Sequence, residues 1–210
     1  ATGAQVIIMD DGLQNPSLAK DCKIAVVDGE TGIGNGLCLP AGPLRAPLDT
    51  QLAHIDGLIA IGPGRAGERV AGRAQAQGVA VFTANLRPDE SIAAELRGAR
   101  VVAFAGIGRP DKFFMTLEQI GATIVEAYSF DDHQMLNEEN MRSLRAAARK
   151  NGATLVTTEK DMARMRGLLP VDDVRALPVT LAIDGENAFV GLLIEKITPR
   201  LRSAGQIRLA

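Results

Sequence analysis

Short apolar runs, many of them rich in β-branched residues, alternate along this chain with longer amphipathic stretches. Most of these runs are continuously apolar, which is typical of parallel strands that are covered on both faces. The repeated order of strand and helix predicts an α/β fold with a mostly parallel sheet and flanking helices. We predict strands at 6–9, 24–27, 58–61, 79–82, 101–105, 123–128, 154–157 and 179–183.

Capping residues between these runs mark the predicted helices. Asn137 precedes two glutamates and predicts the start of a helix, because its side chain can accept a hydrogen bond from the first turn. Gly152 predicts the end of the same helix. We predict helices at 68–77, 91–96, 111–120, 138–150 and 160–168.

A long segment rich in glycine and proline, residues 29–50, interrupts the alternation. Loops of this length in compact domains are usually functional or act as linkers. The chain has 210 residues, which at about 150 residues per domain suffices for one large or two small domains. We therefore place a domain boundary near residue 55, which separates residues 1–55 from residues 56–210.

Composition excludes several classes of protein. Apolar residues make up 46% of the chain and charged residues 23%, which is typical of a globular protein and not of a disordered one. The net charge of −2 and the aromatic content of 3% argue against nucleic acid as a partner. Cys22 and Cys38 fit neither a metal-binding pattern nor a disulfide framework.

Two carboxylates, Asp10 and Asp11, follow the predicted strand at 6–9 and precede Gly12. In open α/β sheets, ligands lie at the carboxyl ends of the strands, where an aspartate can hold Mg²⁺ beside a phosphate. An ordinary Asp–Gly turn after a strand explains the pattern equally well.

Two further segments combine glycines with a cation. Arg45 lies near the end of the segment at 29–50, and a guanidinium can bind phosphate with two hydrogen bonds. On this motif alone, an ordinary surface loop is the favoured interpretation. Gly106, Gly108 and Arg109 follow the predicted strand at 101–105. Glycines there let a ligand approach backbone N–H groups, and a tight turn is the alternative interpretation.

Polar residues also follow two later strands. Asp132 precedes His133, and a carboxylate beside a histidine can orient the ring and raise its basicity. A structural histidine is the alternative, and it is our interpretation of His54. Lys160 could face a phosphate, whereas the threonines before it and Asp161 after it also fit a helix cap.

The segment GPGRAG at 62–67 has the glycine spacing of a dinucleotide-binding turn. Such a site also needs an acidic residue at the end of the next strand, and the predicted strand at 79–82 runs into Thr83 instead. The phosphate-loop pattern GxxxxGK[ST] is absent from residues 1–210. A non-catalytic module that binds a nucleotide or a sugar phosphate through 62–67 or 106–108 therefore stays open as the alternative to an enzyme.

Five motifs, taken in order, resemble those of the tetraacyldisaccharide 4′-kinases, the lipid A 4′-kinases. They are DDGLQ at 10–14, GNGLCLPAGPLR ending at residue 45, AGIGRPDKFF at 105–114, DDHQ at 131–134 and TTEKD at 157–161. The resemblance implies transfer of the γ-phosphate of ATP to the 4′-hydroxyl of tetraacyldisaccharide 1-phosphate, which gives lipid IVA. It also implies a P-loop kinase domain, of which residues 1–55 are the end, joined to a smaller Rossmann-like domain.

The resemblance further implies roles for individual residues. His133, Asp132 and Asp11 take catalytic positions, and Asp10 and Asp11 are expected to hold Mg²⁺. Contacts to ATP are expected from Asp10, Asp11, Arg45, Gly106, Arg109 and Lys160.

The family also acts at the cytoplasmic face of the bacterial inner membrane, on a lipid disaccharide. We expect that the phosphate loop and the segment that contacts the membrane precede residue 1, because residues 1–210 match the later part of the family's pattern. Residues 1–210 alone are accordingly expected to have little or no kinase activity.

Overall fold

The structure, a computed structural model, describes residues 6–132 and 134–203, with side chains as far as residue 199. The chain divides into two compact units. The first unit comprises the residues up to Leu86 together with those from Leu181 onward, and the second unit comprises Arg87–Thr180.

Eight strands form two four-stranded sheets within the described residues. They are β1 (Ile24–Asp28), β2 (Gly57–Ile61), β3 (Ala80–Pro88), β4 (Arg100–Ala105), β5 (Thr123–Ser129), β6 (Thr154–Thr158), β7 (Val174–Leu177) and β8 (Val179–Ile183). The described helices are α1 (Leu48–Leu52), α2 (Arg65–Ala76), α3 (Glu90–Leu96), α4 (Pro110–Gln119), α5 (Glu138–Asn151), α6 (Glu159–Met165) and α7 (Glu186–Ser203).

The first sheet has the strand order β1-β2-β3-β8. Its first three strands are parallel, with Ala25 opposite Leu58 and Leu58 opposite Val81. Val70 and Ala74 of α2 are buried with Leu58 in the apolar core of this unit. Helix α7 belongs to the same unit, where the ring of Phe189 meets Phe82 edge-on at a centroid distance of 5.2 Å.

The second sheet has the strand order β5-β4-β6-β7, and all of its strands are parallel. Side chains of α5 and α6 pack against one face, around Phe104. Side chains of α3 and α4 pack against the other face, around Val101. The connections from β4 and β6 therefore leave to opposite sides of the sheet, so the switch point at which α/β folds bind ligands lies between these two strands.

Most of the predicted elements are confirmed, including the α/β class and the parallel sheets. Asn137 accepts a hydrogen bond from the N–H group of Asn140 at the start of α5, and Gly152 ends this helix in the left-handed conformation. The α5 helix is thus bounded by the two residues that mark it in the sequence.

The predicted strand at 6–9 is wrong. Ile7 and Ile8 are 75% and 92% exposed, and no described strand pairs with this segment. Extended backbone becomes a strand only where a neighbour accepts and donates its hydrogen bonds. An apolar composition alone does not supply that neighbour.

Three elements escape the sequence analysis for different reasons. Helix α1 has only five residues and begins within the glycine- and proline-rich segment at 29–50. Strand β7 has only four residues, and Arg175 breaks its apolar run. Helix α7 contains Gly191 and Pro199, which normally weaken or end a helix and so hide it from a pattern search.

The division into units differs from the boundary expected near residue 55. Strands β2 and β3 pair with β1, so the first sheet continues well past that position. The loop at 29–50 lies within the first unit, and its glycine and proline content marks a structured loop and not a linker. Among the described residues, no helix is both long enough and apolar enough to cross a bilayer.

Candidate functional site

Three of the motifs in the second unit meet at one edge of its sheet. The segments 106–109 and 130–132 follow β4 and β5, and the segment 157–161 covers the end of β6 and the start of α6. These three strands are neighbours in the order β5-β4-β6. Because the strands are parallel, their carboxyl ends lie side by side. We call these three segments the strand-end cluster.

Asp161 is the centre of this cluster. Its side chain is 3% exposed, and Oδ2 accepts a hydrogen bond of 3.1 Å from the backbone N–H of Gly106. Nη1 of Arg164 donates to Oδ1 of Asp161 at 3.2 Å and to the carbonyl oxygen of Gly106 at 2.7 Å. The ion pair thus holds both polar backbone groups of Gly106 at the switch point.

Two threonines complete the connection from β6 into α6. The Thr158 hydroxyl donates to Oδ2 of Asp161 at 2.7 Å and accepts from the Asp161 backbone N–H at 3.2 Å, which caps the helix. The buried hydroxyl of Thr157 donates to the carbonyl oxygen of Phe104 at 2.8 Å. The helix-cap interpretation of Asp161 is therefore confirmed, while Lys160 next to it is exposed.

The segment after β5 lies against the glycine turn after β4. The backbone N–H of Asp131 donates to the side-chain oxygen of Gln134 at 3.1 Å, which closes a short turn. A Cβ placed on Gly108 would lie 3.5 Å from Oδ2 of Asp132. Asp132 is therefore beside the glycine turn, whereas His133 lies outside the described residues.

Gly106 cannot easily accept a side chain. A Cβ at this position would lie 3.3 Å from Oδ1 of Asp161 and 3.4 Å from the carbonyl oxygen of Asp131. The glycine lets all three segments of the strand-end cluster approach one another. Arg109 follows as the residue before α4 and is half-buried.

The remaining predicted site residues lie in the first unit and are exposed. Asp10 and Asp11 form a turn in which Asp11 has a φ of 53°. Arg45 makes no hydrogen bond or ion pair to any described residue, so its guanidinium is available to a ligand. Within the described ranges, no three histidine, cysteine or acidic side chains gather as they would around a metal ion.

The loop before Arg45 has an internal structure of its own. The side chain of Asn35 donates to the carbonyl oxygen of Ala41 at 2.8 Å and accepts from the N–H of Leu37 at 3.1 Å. A Cβ on Gly42 would lie 2.1 Å from Oδ1 of Asn35, so this position requires glycine. Asn35 and Gly42 thus fix the loop that carries Arg45.

The glycines of the 62–67 turn serve packing against the chain itself. The N–H of Gly67 donates to the carbonyl oxygen of Gly29 at 2.7 Å. A Cβ on Gly64 would lie 2.3 Å from that same oxygen, and a Cβ on Gly29 would lie 2.1 Å from the carbonyl oxygen of Gly62. Backbone from the end of β1 therefore lies where a dinucleotide-binding turn would receive its ligand.

Arg164 of α6 contacts Gly106 and Asp161, so we count it as part of the strand-end cluster, although the sequence analysis misses it. Its position three residues after Asp161 in a predicted helix is the signal that finds it, because residues at that spacing lie on one face. A second ion pair of the same unit lies outside the cluster, where hydrogen bonds from the Arg145 guanidinium lower the pKa of Asp173.

The parallel sheets with flanking helices define an α/β protein. Ligands usually bind such folds at the switch point, which is where this chain has a glycine turn, carboxylates and basic residues. The chain belongs to the tetraacyldisaccharide-1-P 4′-kinase family, whose model matches residues 1–198. This confirms the resemblance drawn from the five motifs.

Curated relatives agree with the family match. The chain is 49% identical to the tetraacyldisaccharide 4′-kinase of Bradyrhizobium sp. (strain BTAi1), with 97% of this chain and 59% of the relative covered. It is 54% identical to that of Methylobacterium nodulans, with 90% and 55% covered. The chain thus spans about three fifths of the length of the curated relatives that it matches. No solved structure matches this chain.

Proposed function

We propose that this protein acts in the transfer of the γ-phosphate of ATP to the 4′-hydroxyl of tetraacyldisaccharide 1-phosphate, which gives lipid IVA. The observation that carries the proposal is the family match over residues 1–198, which includes all five motifs. The relatives' name specifies a kinase that acts on the 4′ position of a tetraacyldisaccharide. The strand-end cluster supports it, because three of the motifs meet there.

The reaction needs a base near the sugar hydroxyl. The 4′-oxygen forms a bond to the γ-phosphorus, the bond from that phosphorus to the bridging oxygen breaks, and ADP leaves with the electron pair. The hydroxyl proton passes to the protein, and we assign its acceptance to His133. Asp132, which lies beside the glycine turn, is proposed to orient the histidine ring and stabilise its charged form.

Positive charge and backbone donors are proposed to hold the phosphates. Phosphoryl transfer depends on positioning and on neutralising the charge spread over the phosphoryl oxygens. Arg45, Arg109 and Lys160 supply cations, and the exposed Arg45 and Lys160 can reach a ligand without breaking a described contact. Gly106 supplies the close approach of main chain at the switch point.

Asp10 and Asp11 fit the role of a magnesium site. Mg²⁺ is usually bound by one or two carboxylates together with substrate phosphates and water, so two adjacent exposed carboxylates suffice. When bound there, Mg²⁺ would neutralise part of the negative charge of the phosphates. Because the acceptor is a lipid, we also propose that the protein acts at the cytoplasmic face of the inner membrane.

A pair of histidine substitutions tests the proposed mechanism in the complete product of the gene. We expect His133→Ala to lower the rate of phosphate transfer from ATP to tetraacyldisaccharide 1-phosphate by about 10²-fold or more, because the acceptor of the proton is lost. His54→Ala is the matched control, since His54 is exposed and lies outside the five motifs. Equal rates in the two variants would contradict the role of His133.

A further inference from the structure

The buried ion pair of the strand-end cluster is placed where α/β folds usually bind ligands. Asp161 and Arg164 lie between the carboxyl ends of β4 and β6, and Asp161 is 3% exposed. A buried charge that lacks a partner is strongly unfavourable, so such a pair persists only where its partners are fixed. Here the partners are the N–H and the carbonyl oxygen of one glycine, Gly106.

The ion pair is connected to Asp132 through the glycine turn after β4. It fixes both polar groups of Gly106, which begins the turn that carries Gly108 and Arg109. Gly108 in turn lies against the carboxylate of Asp132, as the 3.5 Å distance from a Cβ placed there to Oδ2 shows. A shift of the turn therefore changes the space next to Asp132.

The shape of the guanidinium suits this task. One nitrogen of Arg164 donates both to the carbonyl oxygen of Gly106 and to Oδ1 of Asp161, while Oδ2 accepts from the Gly106 N–H and the Thr158 hydroxyl. These contacts close a ring of hydrogen bonds between the turn after β4 and helix α6. A helix cap alone needs only Thr158 and Asp161, so Arg164 adds a connection that capping does not require.

We propose that Asp161 and Arg164 are positioning residues for phosphoryl transfer, which hold the 106–109 turn against Asp132 without touching the substrate. This inference rests on the proposed function of the same site. It assigns a role to two residues that would otherwise count as structural. A misplacement of about 1 Å in a catalytic arrangement can lower a rate by about 10²-fold.

The test compares two arginines in the complete product of the gene. Arg164→Met removes the ion pair in the cluster, and Arg145→Met removes the pair with Asp173 on α5, which lies outside the cluster. We expect Arg164→Met to lower kcat by about 10-fold to 10²-fold with little change in KM, because positioning acts on the transition state. Arg145→Met is expected to lower thermal stability and leave kcat unchanged.

Two further measurements separate positioning from folding. Arg164→Lys should recover part of kcat, because a lysine can still donate to the Gly106 carbonyl but cannot replace the planar guanidinium. Hydrogen exchange should become faster within 105–111 in Arg164→Met and stay unchanged there in Arg145→Met.

The outcomes distinguish the inference from the proposed function. An active protein in which Arg164→Met and Arg145→Met have the same kcat would overturn the positioning role and leave the proposed function standing. A protein without substitutions that transfers no phosphate would overturn the proposed function and the role with it. Lower kcat in Arg164→Met together with faster exchange at 105–111 supports the proposal.

Discussion

Two glycine turns occupy equivalent places in the two sheets and have opposite surroundings. The turn at 62–67 follows β2 and continues into the start of α2, and the turn that begins at Gly106 follows β4 and precedes α4. The first packs against backbone at Gly29, whereas the second meets the side chains of Asp161 and Asp132. The first turn has the better-known ligand-binding pattern, whereas the second lies beside two carboxylates at the switch point of its sheet.

The largest effect that we expect is the loss of stability when Gly29 is substituted. We expect Gly29→Ala to cost about 3 kcal/mol or more of the free energy of unfolding, because the new Cβ would lie 2.1 Å from a backbone oxygen that cannot move away alone. Chemical denaturation followed by circular dichroism measures the loss. Gly72→Ala in α2 is the control and should stabilise by about 0.5–1 kcal/mol, since open space surrounds that position.

If Gly29→Ala unfolds at the same denaturant concentration as the unsubstituted protein, the 62–67 turn does not pack closely against Gly29. The turn would then again be a candidate for ligand binding.

A second pair of substitutions compares the two turns in activity. Gly108→Ala should leave stability nearly unchanged, because its Cβ would be in ordinary contact with Asp132, and should lower kcat/KM about tenfold if phosphate approaches this backbone. Gly62→Ala should instead lower stability and leave kcat/KM unchanged. Its φ of 72° costs a side chain about 1 kcal/mol, and the rate should not change.

Steady-state kinetics and thermal unfolding of both variants test this contrast. A rate loss in Gly62→Ala that is as large as that in Gly108→Ala would remove the functional difference between the turns.

The smallest expected effect concerns the ion pair outside the strand-end cluster. Hydrogen bonding from Arg145 lowers the pKa of Asp173 in the folded protein. The pair's contribution to the free energy of unfolding is therefore fully present above the unfolded pKa of about 3.9, and it is lost as the pH falls through the folded pKa. Because Asp173 is half-exposed, solvent screening keeps the contribution of the ion pair to stability below about 1 kcal/mol.

Asp173→Asn should therefore lower the melting temperature slightly at pH 7, and the difference between the two proteins should shrink as the pH falls below the unfolded pKa. A difference between the two proteins that grows as the pH falls would contradict the assigned direction of the pKa shift.

The sequence predicts those features of the fold that depend on residues close together in the chain. Apolar periodicity locates most strands, and Asn137 and Gly152 mark the ends of α5 because a cap involves residues within one turn. The strand expected at 6–9 and the missed helix α7 depend instead on tertiary partners, which override local preference.

The surroundings of the glycine turns could not be predicted for the same reason. Gly29 lies more than 30 residues before the turn that it packs against, and Asp161 lies 55 residues after Gly106. Single-residue patterns do not specify such pairings. Motif order was informative because residues at the ends of neighbouring parallel strands are brought together by the topology.

The most direct test of the central claim is to identify the lipid that the complete product of the gene forms. The protein is incubated with ATP, Mg²⁺ and tetraacyldisaccharide 1-phosphate, and the lipid is analysed by mass spectrometry and ³¹P NMR. We predict that the lipid gains one phosphoryl group as a monoester at the 4′-oxygen, with one ADP released for each. Unchanged lipid, or phosphate at another position, would contradict the assignment.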